Sequence, residues 1–324
     1  MINHPLIFLC GMPRSGTTWL AKIFDSHPDT LYRHEPDSQQ YPDTIPLMPT
    51  LIDLEIYRHD IEAFVADLPN VRLTKVAASM PIFQKNYFSP YIFLLYQVSS
   101  IIAKAGSQIL GELQIPRYVD FEKINQLNIV WKSIESLGRF GVVSRLIDNS
   151  YSIHIIRHPC GYVSSVLHGE VLKRFESKIS SSEDYGIFEI LLETEQAKKY
   201  QLDFELIKHM HPVERLAWRW VLFNEKAMDE TEGLKRCTVV RYEDICQEPL
   251  EQSRKLFEFT ELPWHVQTEN FIAQSTNNEK STYYSIIKNP IHSANKWKNE
   301  LSLDNIDRIL RITEISKPGK YYLS

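Results

Sequence analysis

At 324 residues, 43% hydrophobic and 24% charged, the chain is long enough to bury a sizeable core without disulfide or metal staples. Its net charge of −5 supplies no electrostatic attraction for nucleic acid or an anionic membrane, which leaves a small molecule as the expected partner. The four cysteines, Cys10, Cys160, Cys237 and Cys246, include no Cys-x-x-Cys pair; this argues against a zinc site and a disulfide framework and fits a reducing, cytoplasmic compartment.

In chain order, Met1 to Cys10 enters a short apolar stretch without a basic leader region or cleavage signature, so neither a secretory signal nor a membrane anchor is expected there. Leu6 to Cys10 reads as a strand buried on both faces. Pro36 to Gln126, rich in proline, reads as an insertion. Within it, Tyr91 to Ala103 is apolar but contains Gln97, Ser99 and Ser100 and falls short of the roughly 20 residues of a spanning helix, so a buried helix is expected. Asn128 to Lys132 reads as a strand, Gly138 to Asn149 as a helix, Ser152 to Arg157 as a strand and Cys160 to Gly169 as a helix opened by Pro159. A second insertion, Glu170 to His211, carries the polar run Ser177 to Asp184. Amphipathic helices at Val213–Glu230, Leu250–Thr260 and Leu303–Ile312 flank and follow a last strand, Cys237 to Arg241. This β-α-β-α order predicts one α/β domain over 1–324: a P-loop-type three-layer α/β/α arrangement with a central parallel sheet and helical insertions at 36–126 and 170–211. Insertions that leave from the carboxyl ends of the strands are natural places for substrate recognition.

The segment Leu6 to Leu20 joins a buried strand, a glycine-bracketed loop and an apolar helical start. Gly11 and Gly16 let the backbone curl so that N–H groups and the next helix N-terminus can point at one anion, with Thr17 and Thr18 adding hydroxyls. Alone, Gly-x4-Gly is an ordinary strand-to-helix turn; the strand, Arg14 and the paired threonines favour a phosphate. The spacing matches a Walker A loop, but Thr17 stands where that motif needs lysine. Arg14 can supply the charge, in an arrangement suited to one phosphate with one attached group rather than a magnesium-bound triphosphate.

Pro13-Arg14-Ser15-Gly16-Thr17-Thr18-Trp19-Leu20 resembles the 5'-phosphosulfate loop of the sulfotransferase superfamily, in the arginine form of its tyrosylprotein and carbohydrate branches, and overall the chain looks like the soluble bacterial members. His27-Pro28-Asp29 and His34-Glu35-Pro36 are similar to the stretch after that loop in the carbohydrate type. The resemblance implies 3'-phosphoadenosine 5'-phosphosulfate (PAPS) as co-substrate, 3'-phosphoadenosine 5'-phosphate (PAP) as product, and the residues Arg14 to Trp19 around the 5' side. Arg157, ending a strand, and Ser165, eight residues on, resemble the 3'-phosphate motif, with Ser164 as the alternative. Val240 to Asp244 looks like the turn that sets a tyrosine, here Tyr242, near adenine. Ser293 to Lys298 resembles the loop that closes over the 3'-phosphate, without its glycines, and implicates Ser293 and Lys296; a solvated basic turn is the other reading.

Sulfuryl transfer needs an in-line acceptor, a base and a cation beside the leaving phosphate. Glu35 is the expected base, matching the glutamate of tyrosylprotein-type relatives, with His34 and Glu135 as alternatives. Lys132-Ser133-Ile134 stands where cytosolic relatives carry Lys-x-His, so Lys132 and Arg14 are the expected cations. No metal is required; His154 and His158, four apart, lie on a strand rather than on one helix face. The expected acceptor is a hydroxyl or amine of a small metabolite, and Tyr87, Phe88, Tyr91, Phe175, Tyr185 and Phe188 suit an apolar one, although core packing explains them equally well. The alternatives are a P-loop phosphoryl transferase such as a kinase, which the missing Walker lysine disfavours, and a non-catalytic nucleotide-binding protein, which has no use for Glu35 and Lys132. Nothing in the sequence sets an oligomeric state.

Overall fold

The computed structural model describes residues 5–119, 123, 126–171, 179–277 and 290–323. Five strands, β1 (Leu6–Cys10), β2 (Thr30–His34), β3 (Asn128–Ser133), β4 (Ser150–Ile156) and β5 (Cys237–Arg241), form one sheet in the order β2-β3-β1-β4-β5. Every pairing is parallel. The main helices are α1 (Thr17–Asp25), α2 (Leu54–Asp67), α3 (Pro90–Leu110), α4 (Phe140–Leu146), α5 (Pro159–Val171), α6 (Pro212–Glu230), α7 (Pro249–Phe259), α8 (Val266–Asn277) and α9 (Leu303–Thr313).

Strand alternation divides the core between two helical layers. Leu6, Phe8 and Cys10 of β1 join a cluster with residues of α2, α4, α5, α6 and α9, while Ile7 and Leu9 join one built from α1, α7 and α8. The first is dense in aromatics: the Phe8 ring lies 4.2 Å from Trp131 and 5.4 Å from Phe140. This is the expected three-layer α/β/α fold with a parallel sheet. The cysteines are free thiols, Cys10, Cys160 and Cys246 buried and Cys237 half-buried.

Three expectations are corrected. Strand β2 is absent from the sequence reading because Thr30 to His34 carries Arg33 and His34; Arg33 is nevertheless buried, its guanidinium donating to the carbonyls of Leu68, Tyr32 and Pro69 at 2.7–2.9 Å. The helix expected over 138–149 stops at Leu146, because Ile147 is already extended (ψ 91°) and β4 begins at Ser150. The apolar helix over 91–103 exists, as part of α3, but it is not buried: Tyr91, Leu94, Ile101 and Ile102 are each more than half exposed. Apolar composition alone carries no information about which neighbour covers a helix.

The sheet order also sets the position of the site. β1 is central, with β3 on one side and β4 on the other, so the chain leaving its carboxyl end enters the crevice where ligands bind in open α/β sheets. The insertion at 36–126 leaves directly from the end of β2.

Candidate active site

The loop between β1 and α1 is shaped by two glycines. A Cβ at Gly11 would fall 2.4 Å from the Ile155 carbonyl oxygen of β4, and one at Gly16 would fall 2.3 Å from the Tyr242 ring. Gly16 also has φ 84°, and Arg14 takes the same left-handed region at φ 72°, a conformation costly for a residue with a side chain. Among the described residues no side chain caps the start of α1, so its first N–H groups face the loop.

Arg14 and Arg157 brace one another across the crevice. Arg157, just past the end of β4, donates from Nη1 to the Arg14 carbonyl (2.8 Å) and from Nη2 to the Ser293 carbonyl (2.9 Å). Arg14 Nε donates to Ser165 Oγ at 3.0 Å. The Arg157 guanidinium lies over the Tyr242 ring at 5.1 Å. Its Nε is buried without a hydrogen-bond partner among the described residues, a donor left over for an anion. The eight-residue spacing therefore brings Arg157 and Ser165 together through Arg14. Ser164, one residue earlier, donates instead to Glu300.

Residues 290–300 cover this corner. Lys296 pairs with Glu300 at 2.6 Å, and Trp297 stacks on the His158 ring at 4.5 Å and 10°. Ser293 contributes its carbonyl to Arg157.

On the other side of the loop, Glu35 directly follows β2 and Lys132 is the next-to-last residue of β3. The Glu35 N–H donates to the Lys132 carbonyl at 2.8 Å, and the Lys132 ammonium donates to Glu35 Oε1. Lys132 is almost fully buried, whereas a fifth of the Glu35 side chain is exposed. Glu35 has φ 49°, so its backbone turns sharply out of the sheet at this point. His34 accepts or donates at Tyr32 OH (2.7 Å), and burial, followed by the Lys132 charge, holds its pKa well below the usual imidazole range. A neutral His34 beside Lys132 is no cation. Glu135 is pushed up, first by burial and then by Asp37 and Glu35.

A family model described as "Sulfotransferase family" matches residues 5–266. The chain belongs to the sulfotransferase family. Carbohydrate sulfotransferase 3 of Mus musculus is 34% identical over 65 residues, 19% of this chain, and the match spans only 14% of that relative's length. Among solved structures, the sulfotransferase domain from the curacin biosynthetic pathway is 14% identical with a TM-score of 0.44, covering 95% of this chain and 96% of its own. The sulfotransferase domain of the Synechococcus PCC 7002 olefin synthase is 16% identical with a TM-score of 0.44, covering 94% and 93%.

In this sulfotransferase-family chain two site carboxylates escape the motif reading. Asp37, two residues after Glu35, is buried and accepts from Trp131 Nε1 (3.1 Å), Ser136 Oγ (2.6 Å) and Ser133 Oγ, which pins the residue next to Lys132. Burial raises its pKa against those hydrogen bonds. The signal available was Ser133 and Ser136 at the end of a strand. Glu243 accepts from the His158 N–H at 3.2 Å, and burial, opposed by Arg157, lifts it to about 7.

Other sequence candidates sit as follows. Ser15 and Thr17 are buried and Thr18 is half-buried in the loop. The Trp19 indole donates to Ser275 Oγ at 3.1 Å within the α1–α8 core, so only its backbone faces the loop end. Tyr242 packs its buried ring on Gly16 and Arg157. Of the aromatics, Phe188 is core, Phe88 is buried, Tyr87 OH donates to the Thr30 carbonyl (3.2 Å), and the Tyr185 ring lies against Phe204; Phe175 lies outside the described residues, as do 177 and 178 of the polar run. Tyr91 points to solvent on α3. His154 bonds Asn224 at 2.9 Å. Among the described residues no group of three or more His, Cys, Asp and Glu gathers as a metal site, and no helix is long and apolar enough to cross a membrane.

Proposed function

We propose that this chain transfers a sulfuryl group from PAPS to a hydroxyl or amine of a small acceptor. The observation that carries the reading is the Glu35–Lys132 pair beside a glycine-bracketed loop that carries Arg14 and has Thr17 where a kinase loop has its lysine. The donor supplies an activated S–O bond to a phosphate. Ser15, the amides of residues 16–18, the Thr17 and Thr18 hydroxyls and Arg14 hold its 5' side; Arg157, Ser165, Lys296 and the Ser293 segment hold its 3'-phosphate, and Tyr242 borders the adenine. The unpartnered Arg157 Nε supports this fit.

Glu35 is partly exposed and can take the proton of the acceptor as its oxygen or nitrogen attacks sulfur in line. Lys132, buried next to the loop, and Arg14 meet the charge that develops on the phosphate oxygen as the S–O bond breaks. The resting Glu35–Lys132 pair holds both side chains in place beside the loop. We read 1–324 as one catalytic unit in which the 36–126 and 170–211 insertions wall the acceptor side, working in a reducing, cytoplasmic compartment.

The test is calorimetric titration with PAP, ATP-Mg and adenosine 5'-phosphate on wild type and Arg157→Ala. Tight binding that needs both the 3'-phosphate and Arg157 is expected. A preference for ATP-Mg overturns the reading in favour of a phosphoryl transferase.

A further inference from the structure

Helix α3 turns a long apolar side outward. Its inward side adds Ala103 to a small satellite cluster with Ala78 and Ile115, with Tyr96 and Leu113 packed beside it, and sets Phe93 and Tyr96 against Phe88. Its outward side exposes Tyr91, Leu94, Leu95, Val98, Ile101, Ile102 and Ile109 by 37–85% each. A helix in water owes most of its stability to the burial of its apolar face, and here that face is bare.

The exposed residues keep a strict order. Tyr91, Leu95, Val98, Ile102, Ala105 and Ile109 follow one another at alternating steps of four and three, the spacing of a seam that packs knobs into holes against another helix, and Leu94 and Ile101 flank it seven apart. Lys104 is the only charged residue from Pro90 to Leu110. A helix that lies on a membrane carries a Lys- and Arg-rich polar face, which α3 lacks. Its 21 residues give a seam about 31 Å long, and seven apolar side chains bared along it offer surface on the order of the ~800 Å² per partner of a standard interface.

We propose that this face pairs two copies of the chain, α3 against α3, antiparallel about a two-fold axis near the middle of the seam. A two-fold makes the stripe its own complement, and antiparallel pairing sets Lys104 across from Gln97 rather than from the other Lys104. The proposal is independent of the reaction the chain performs.

Sedimentation and light scattering of the purified full chain test it, together with Leu95→Glu and Ile102→Glu variants checked for folding by circular dichroism, and bismaleimide cross-linking of Ile102→Cys against Ile52→Cys, an exposed site outside α3. The expected result is twice the chain mass for wild type, a complete shift to monomer in both glutamate variants at unchanged circular dichroism, and a cross-linked dimer from Ile102→Cys but not from Ile52→Cys. A wild type that stays monomeric at its highest soluble concentration overturns the proposal. So does a dimer indifferent to the glutamate variants, or a monomer whose α3 face instead takes up detergent micelles.

Discussion

Glu35 and Lys132 stand at the carboxyl ends of adjacent parallel strands and are joined twice, by the Glu35 N–H on the Lys132 carbonyl and by the Lys132 ammonium on the Glu35 carboxylate. The backbone bond survives when either side chain changes. Glu35→Gln is therefore expected to fold normally and to lose about 10²- to 10⁴-fold in kcat, the range for removing a general base. Lys132→Met should lose roughly 10²- to 10³-fold, with donor affinity changed much less than turnover. Steady-state kinetics beside PAP titration checks both; near-normal turnover of Glu35→Gln ends its assignment as the base.

Arg157 holds the Arg14 and Ser293 carbonyls through Nη1 and Nη2 and keeps Nε for a further acceptor. Removing it takes away charge-assisted hydrogen bonds worth about 1.5–3 kcal/mol each, so Arg157→Ala should weaken PAP binding by at least about tenfold. Arg157→Lys should recover little, since a lysine cannot span two carbonyls and a phosphate from one planar fork. Adenosine 5'-phosphate binding should fall far less, a contrast that calorimetry reads directly.

Gly11 and Gly16 separate two kinds of steric demand. At Gly16 an added methyl meets the Tyr242 ring, and at Gly11 it meets the Ile155 backbone oxygen. Gly16→Ala should lower the melting temperature and abolish PAP binding, and adding Tyr242→Ala should recover part of the stability but not the strain of φ 84°. Gly11→Ala has no side-chain neighbour whose truncation relieves the backbone clash, so the same second change should not rescue it.

Two buried groups pull the acid stability in opposite directions. His154 sits at about 4 against an ordinary 6.5, because burial disfavours its cation more than the Asn224 bond favours it. Its contribution to stability is present above pH 6.5 and is lost as pH falls toward 4. Glu243 sits at about 7 against 4.5, again through burial; its contribution is present below pH 4.5 and is lost as pH rises through 7. Between pH 4.5 and 6.5, Glu243→Gln should make stability rise more steeply with pH than in wild type, and His154→Gln should make it rise less steeply. Urea midpoints across that window decide it; parallel curves for all three proteins would refute both assignments.

Much of this fold is written in local pattern. The runs at 6–10, 128–132 and 152–156 are strands in the structure because continuous β-branched and leucine residues suit a sheet covered on both faces, and 237–241 is a strand too, half-buried at the sheet edge. The loop from Gly11 to Gly16 is equally local, since positive φ and a close backbone approach both demand glycine. Edge strand β2 was not legible, because Arg33 and His34 read as surface residues until distant carbonyls satisfy the guanidinium.

The sequence by itself determined which of these runs become strands, and the family, since these rest on residue chemistry and short-range spacing. Only the tertiary structure decided that Glu35 meets Lys132, that Arg14 links Arg157 to Ser165, that Asp37 clamps Ser133, and that the apolar side of α3 faces outward. Those outcomes depend on strand order and on which helix covers which face, relations between residues up to 151 apart that no local periodicity encodes.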